Sequence, residues 1–152
     1  MDKLEFRIGT EYDEQTKRTY EFIQIYINGT NLIELIENHD AIYYPGNTSL
    51  ISEMYHKYLY ENLKYDRIHK YYGDNMKVIL ACSCGDDGCG SVRINAIETD
   101  NTVIWKDMMY GYEERIYNFS EFVFDRKQYE EQLEFLRVYT TNKQISDKLN
   151  NK

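Results

Sequence analysis

The chain is short of several things that would narrow its role. It has one proline in 152 residues, and no repeat, low-complexity block or linker that would divide it. No run approaches the roughly 20 apolar residues of a membrane span. Met1-Asp2-Lys3-Leu4 offers no signal-peptide core. Cysteine is scarce and odd in number, at three. With no secretory signal, the expected compartment is the reducing cytoplasm and the expected state is free thiols. Basic residues are outnumbered 18 to 26 by acidic ones, giving a net charge of −8. Such a surface repels phosphate backbones, which argues against direct nucleic-acid binding. It suits a basic protein partner, although solubility alone would also account for it. Catalytic signatures are missing too: there is no phosphate loop, nucleophile elbow or His-Glu-x-x-His.

What is present is tyrosine, sixteen residues against one tryptophan. A tyrosine buries a large ring while its hydroxyl seeks a partner, so it suits half-buried sheet faces and interfaces. Apolar residues make up 42% and charged residues 29%, an ordinary globular balance. The length fits one domain, expected over residues 1–140, with 141–152 as a polar tail, frayed or weakly helical.

Lys3 to Gly9 alternates Leu4, Phe6 and Ile8 with charged residues, the pattern of a half-buried strand. Thr10 to Arg18 reads as an exposed loop and Tyr20 to Ile27 as a second strand, the two pairing as a hairpin. Asn28-Gly29 tolerates positive φ and ends it. Leu32, Ile33, Leu35 and Ile36 then predict a short helix to about Asn38, capped by Thr30 or Asn31, with a loop from His39. Leu50, Met54 and Tyr58, beside Ile51, Tyr55, Leu59 and Leu63, predict an amphipathic helix of about four turns from Ser49. Three strands follow as a meander: Lys77 to Ser83, Gly90 to Glu98 and Thr102 to Met108. Ile116 to Phe124 reads as a further strand or extended segment. Asp125 with Gln128 opens a helix carrying Tyr129, Leu133 and Leu136. The sum is an α+β fold: an antiparallel sheet of five or six strands including the 77–108 meander, with two or three helices mainly on one face.

Cys82-Ser83-Cys84-Gly85-Asp86-Asp87-Gly88-Cys89-Gly90 gathers every cysteine and three of the eight glycines. If Asp86-Asp87 form the turn, alternation sets Cys82 and Cys84 on one face with Cys89 opposite Cys84. Zinc would require a fourth ligand, which His56 or His69 could supply, His39 being the weaker candidate. A Cys84–Cys89 disulfide or redox pair and a cysteine nucleophile are further readings. The plainest reading is small, soft residues filling the core beneath a narrow hairpin. Asp86 and Asp87, with Glu113 and Glu114, are candidate acidic contacts for a basic partner, or simply solvated turns. Adjacent pairs such as Glu113-Glu114 and Glu130-Glu131 do not resemble a general acid–base pair. Trp105, mid-strand, is expected in the core.

Four segments together resemble a family of uncharacterised bacterial proteins. These are Ile27-Asn28-Gly29 leading to Leu32-Ile33, Leu80-Ala81-Cys82-Ser83-Cys84-Gly85-x-x-Gly88-Cys89, Val103-Ile104-Trp105-x-Asp107, and Phe122-Val123-Phe124-Asp125-Arg126-x-x-Tyr129-Glu130. The resemblance implies this element order and no particular activity. Gly90-Ser91 stands where relatives often carry a bulky aromatic, and the Tyr-rich segment between Ser49 and Tyr72 is longer. A site leaning on an aromatic beside the third cysteine is therefore not expected. The function these features point to is a small non-enzymatic interaction protein of the immunity or counter-defence type, binding a basic partner. The alternative is a zinc or redox site at Cys82, Cys84 and Cys89.

Overall fold

A computed structural model of the chain describes residues 1–46, 51–52, 56–64, 76–82, 91–110, 115–119 and 121–150. Among the described residues, two antiparallel sheets and three helices enclose one apolar core. The first sheet joins β1 (Leu4–Asp13), β2 (Arg18–Ile27) and β3 (Thr30–Asn31) in that order. The second has six strands: β4 (Ile51–Ser52), β5 (Met76–Cys82), β6 (Val92–Glu98), β7 (Thr102–Tyr110) and β8 (Arg115–Ile116), with β9 (Phe122–Asp125) on β7. The helices are α1 (Leu32–Tyr43), α2 (His56–Lys64) and α3 (Arg126–Asn150). The fold is α+β, as the element order implied, and the meander is β5-β6-β7. The leading hairpin does not join that sheet but forms its own.

The hairpin is longer than the apolar alternation indicates. Pairing runs from Leu4↔Ile27 to Asp13↔Arg18, so most of the expected loop is strand. Backbone ladders need no apolar side chains, and here the polar ends pair in solvent. Asp13 makes the tight turn, its Oδ1 accepting from Gln15 N–H at 2.8 Å. Asn28 (φ 54°) and Gly29 (φ 84°) form the next turn, returning the chain through β3 before α1. Asn31 caps α1 by accepting from Ile33 N–H at 2.9 Å.

Two further expectations need correction. The helix from Ser49 does not begin there: Ile51–Ser52 pair with Cys82 and Ala81 as β4, and the described helix is His56–Lys64. Short apolar runs fit either period, and the sheet edge captured this one. Its predicted stripe survives where Leu59 and Leu63 enter the core. The helix expected to stop near Asn38 runs to Tyr43, carrying His39 and Asp40 inward. For 141–152, the backbone is helical through Asn150.

In β7 the buried phase changes from Val103 and Trp105 to Met108 and Tyr110. The change falls at Asp107, whose φ is 55°, and the β6–β7 register shifts there. One extra residue in a strand exchanges its faces, so the bulge keeps both halves of β7 in the core. Trp105 is 1% exposed, its Nε1 donating to Tyr129 Oη at 3.3 Å and its ring edge-on to Phe124 at 5.2 Å. Burial drives the Tyr129 phenol well above its ordinary range, with the Trp105 bond opposing in part.

Each helix links the two sheets. Helix α2 touches β2 and β5, and α3 touches β1, β7 and β9. Gln128 and Gln132 of α3 serve β1 directly. Leu4 N–H donates to Gln128 Oε1 at 3.2 Å, Gln128 Nε2 donates back to Leu4 O, and Phe6 N–H donates to Gln132 Oε1 at 2.9 Å. Asp125 caps α3 by accepting from Gln128 N–H at 3.0 Å. The Gln128 side chain, which a capping box would turn back to the cap, is spent on β1 instead.

Candidate functional site

Of the cysteine-bearing segment, the described residues are Cys82 and the strands on either side of it. Strands β5 and β6 are antiparallel neighbours, with Leu80 opposite Val92. Cys82 ends β5 opposite Ile51, and His56 opens α2. Cys84, Cys89, His69, Asp86, Asp87, Glu113 and Glu114 lie outside the described residues. Among the described residues, no group of three or more His, Cys, Asp or Glu could hold a metal ion.

A different cluster is assembled where α1 meets β8. Leu32, Ile36 and Asp40 recur every four residues, so Asp40 extends the buried stripe of α1. Its Oδ2 accepts from Arg115 at 2.9 Å, with both side chains at most 5% exposed. Its Oδ1 lies 3.4 Å from His39 Nδ1. His39 Nε2 accepts from Asn118 N–H at 3.1 Å. That bond assigns the imidazole proton to Nδ1, facing the carboxylate. Aromatic rings close around the group: Tyr43 at 4.6 Å, Tyr117 at 5.2 Å and Phe119 at 5.5 Å from the His39 ring. The Arg115 guanidinium lies over Tyr44 at 4.4 Å.

His, Asp and Arg together resemble catalytic machinery, but here the imidazole and carboxylate atoms are already committed. Both imidazole nitrogens and both carboxylate oxygens face protein groups, and the cluster is buried. It is a polar weld between α1 and the second sheet. Sequence reasoning missed it by placing His39 in a loop. The available signal was Asp40, a carboxylate in register with Leu32 and Ile36.

A second cluster is open. A cleft of about 500 Å³ between α2 and α3 is lined by Lys64, Arg126 and Arg137, and by Glu98, Glu130 and Glu134. Arg126 donates to Glu130 at 2.9 Å and to Thr99 O at 2.6 Å. Arg137 grips Glu134 with two bonds, of 2.9 and 2.6 Å. The Glu134 carboxyl is held below its ordinary range, first by the Arg137 hydrogen bonds and then by the charges of Arg137 and Lys64. Three cations against three carboxylates leave no net sign to select a ligand, and none of the lining residues is a Ser or Cys nucleophile.

The third feature is the outer face of the first sheet. Leu4, Phe6, Ile23, Ile25 and Ile27 point into the core. Alternation sends Glu5, Arg7, Gly9, Glu11 and Asp13 of β1 the other way, beside Tyr20, Phe22, Gln24 and Tyr26 of β2. These rings are half-buried or exposed, Tyr20 at 36%. Phe22 lies flat across Gly9, where an added Cβ would fall 2.3 Å from its ring. The Arg7 guanidinium, paired with Glu5, sits 3.7 Å over the Tyr26 ring. Glu11 stands directly opposite Tyr20.

No family model matches this chain, and no curated protein or solved structure does so either. Among the described residues, no helix is long and apolar enough to cross a membrane.

Proposed function

We propose that the chain is a non-enzymatic protein-interaction module of the immunity or counter-defence type, taking a basic protein partner. The observation that carries this reading is the open face of the first sheet, where Tyr20 and Tyr26 of β2 stand opposite the carboxylates Glu11 and Glu5 of β1, with Phe22 between them. Tyrosine rings give large, stiff contact area, and their π-faces attract guanidinium groups. Arg7 over Tyr26 is an internal example of that contact. Tyr20 with Glu11 offers a second ring and carboxylate side by side to an incoming arginine. The net charge of −8 adds long-range attraction for such a partner.

The test is quantitative capture with the intact chain as bait, beside Tyr20→Ser, Glu11→Arg and an exposed control, Gln144→Ala. Recovery of one basic protein at equal stoichiometry, lost in both face variants and kept in the control, supports the reading. No stoichiometric partner, or one retained equally by both face variants, overturns it.

A further inference from the structure

Helix α3 presents a second apolar stripe, on the side away from the core. Tyr129, Leu136 and Thr140 are buried. Phe135, Val138, Ile145 and Leu149 are 43%, 43%, 54% and 64% exposed. With Asn142 between them, their spacing is three, four, three, four. That is the a/d seam of a two-stranded coiled coil, with a polar residue at one a position. Lys143 ties the helix to the body through Glu21 at 3.0 Å. Beyond it Gln144, Ile145, Ser146, Lys148 and Leu149 are all exposed. Helical turns that carry apolar side chains into water gain little by themselves and are stabilised by a partner helix.

We propose that this stripe pairs with the same stripe of a second copy, antiparallel, as a two-fold dimer. Charge selects the occupant and the direction. In the heptad frame set by Phe135 and Val138, Glu134, Thr141 and Lys148 occupy the flanking g positions. In an antiparallel pair g faces g, so Glu134 meets Lys148 of the second copy, twice by symmetry. Glu134 is 58% exposed even while it holds Arg137, leaving its carboxylate within reach of a second cation. A parallel pair would set Glu134 against Tyr139 and gain no charge contact. The antiparallel register packs Phe135 on Ile145 of the second copy and Val138 on its Asn142. A seam this short makes a weak, concentration-dependent dimer.

Sedimentation equilibrium over a wide concentration range tests this on the intact chain, with circular dichroism as the check of folding. The native protein is expected to dimerise reversibly. Ile145→Glu, an exposed change, should weaken the dimer by roughly tenfold or more. Lys148→Glu should weaken it less, and adding Glu134→Lys should restore it. Asn142→Leu should tighten it, because the polar side chain opposite Val138 is removed. A native chain that stays monomeric at its solubility limit overturns the proposal. So does a dimer indifferent to Ile145→Glu, or one weakened by Lys148→Glu that the reciprocal change fails to restore. These outcomes are independent of the outer sheet face, so this inference and the basic-partner reading can fail separately.

Discussion

The molecule holds two clusters of charge that contain similar groups and differ in nearly everything else. At the α1–β8 junction, Asp40, His39 and Arg115 are sealed among aromatic rings. In the α2–α3 cleft, Arg126, Glu130, Glu134 and Arg137 lie in water's reach. A buried charge that loses its partner has nothing to replace it, whereas an exposed one is rehydrated. Short, well-formed bonds occur in both places, so bond length is a poor guide to which pair holds the fold together. Solvent decides.

The sharpest way to break this contrast is Arg115→Ala. It takes the guanidinium from a buried carboxylate, Asp40, and should cost about 3–5 kcal/mol in denaturant melts. A loss below about 1 kcal/mol would place the junction with the surface pairs instead. Replacing both partners, Asp40→Leu with Arg115→Met, should recover much of that loss, because no uncompensated charge remains.

His39→Phe comes next. The ring packing against Tyr43, Tyr117 and Phe119 is kept while Asn118 N–H loses its acceptor. Asn118 is itself exposed, so water can take up its amide and the expected cost is that of one ordinary hydrogen bond, about 0.5–1.5 kcal/mol, read as a lower unfolding midpoint. A variant as stable as the native chain would show the Asn118 bond to be dispensable.

Tyr129→Phe sharpens the contrast through pH. The folded Tyr129 phenol keeps its proton where the unfolded one loses it, at pH above about 10. The folded state then binds more protons than the unfolded state, so stability must fall as pH rises through that range. Tyr129→Phe should flatten this alkaline decline, and an unchanged slope would assign the decline to other groups.

The smallest effect belongs to the cleft. Arg137→Ala should leave the unfolding midpoint within error. The Glu134 carboxyl, followed by NMR titration, should move up toward an ordinary glutamate. Its depressed value makes the small Arg137 contribution present above the unfolded-state range and lost as pH falls through the folded one. A large drop in midpoint would contradict the surface assignment.

The same division between covered and open regions explains what the sequence could disclose. Alternation and turn chemistry located the meander, the first hairpin and the start of α3, because these rest on local pattern. Two devices in the meander stayed hidden: the register shifts between Val78 and Leu80 in β5 and at Asp107 in β7. Facing relations counted outward from an assumed turn make no allowance for such shifts. Pro45-Gly46 makes the segment from His39 read as a loop, although the i−4 and i−8 neighbours of Asp40 are core residues. A carboxylate is rare in that setting, and Arg115, distant in sequence, is a charge partner that helps make it tolerable. The far half of the first hairpin was hidden for the opposite reason, since ladder bonds leave no mark on side-chain type. The thiol reading concerned mostly residues 83–90, outside the described residues, and the acidic contacts at Glu113 and Glu114 lie there too.

The glutamines on α3 have one more consequence. Strand β1 borders the first sheet, and a bare border invites a foreign strand to dock and lengthen the ribbon. Gln128 and Gln132 occupy the outward amides of Leu4 and Phe6, as another strand would, but on a helix that cannot be copied onward. Over Leu4 to Phe6, the start of that border is closed to strand addition by side chains of a helix.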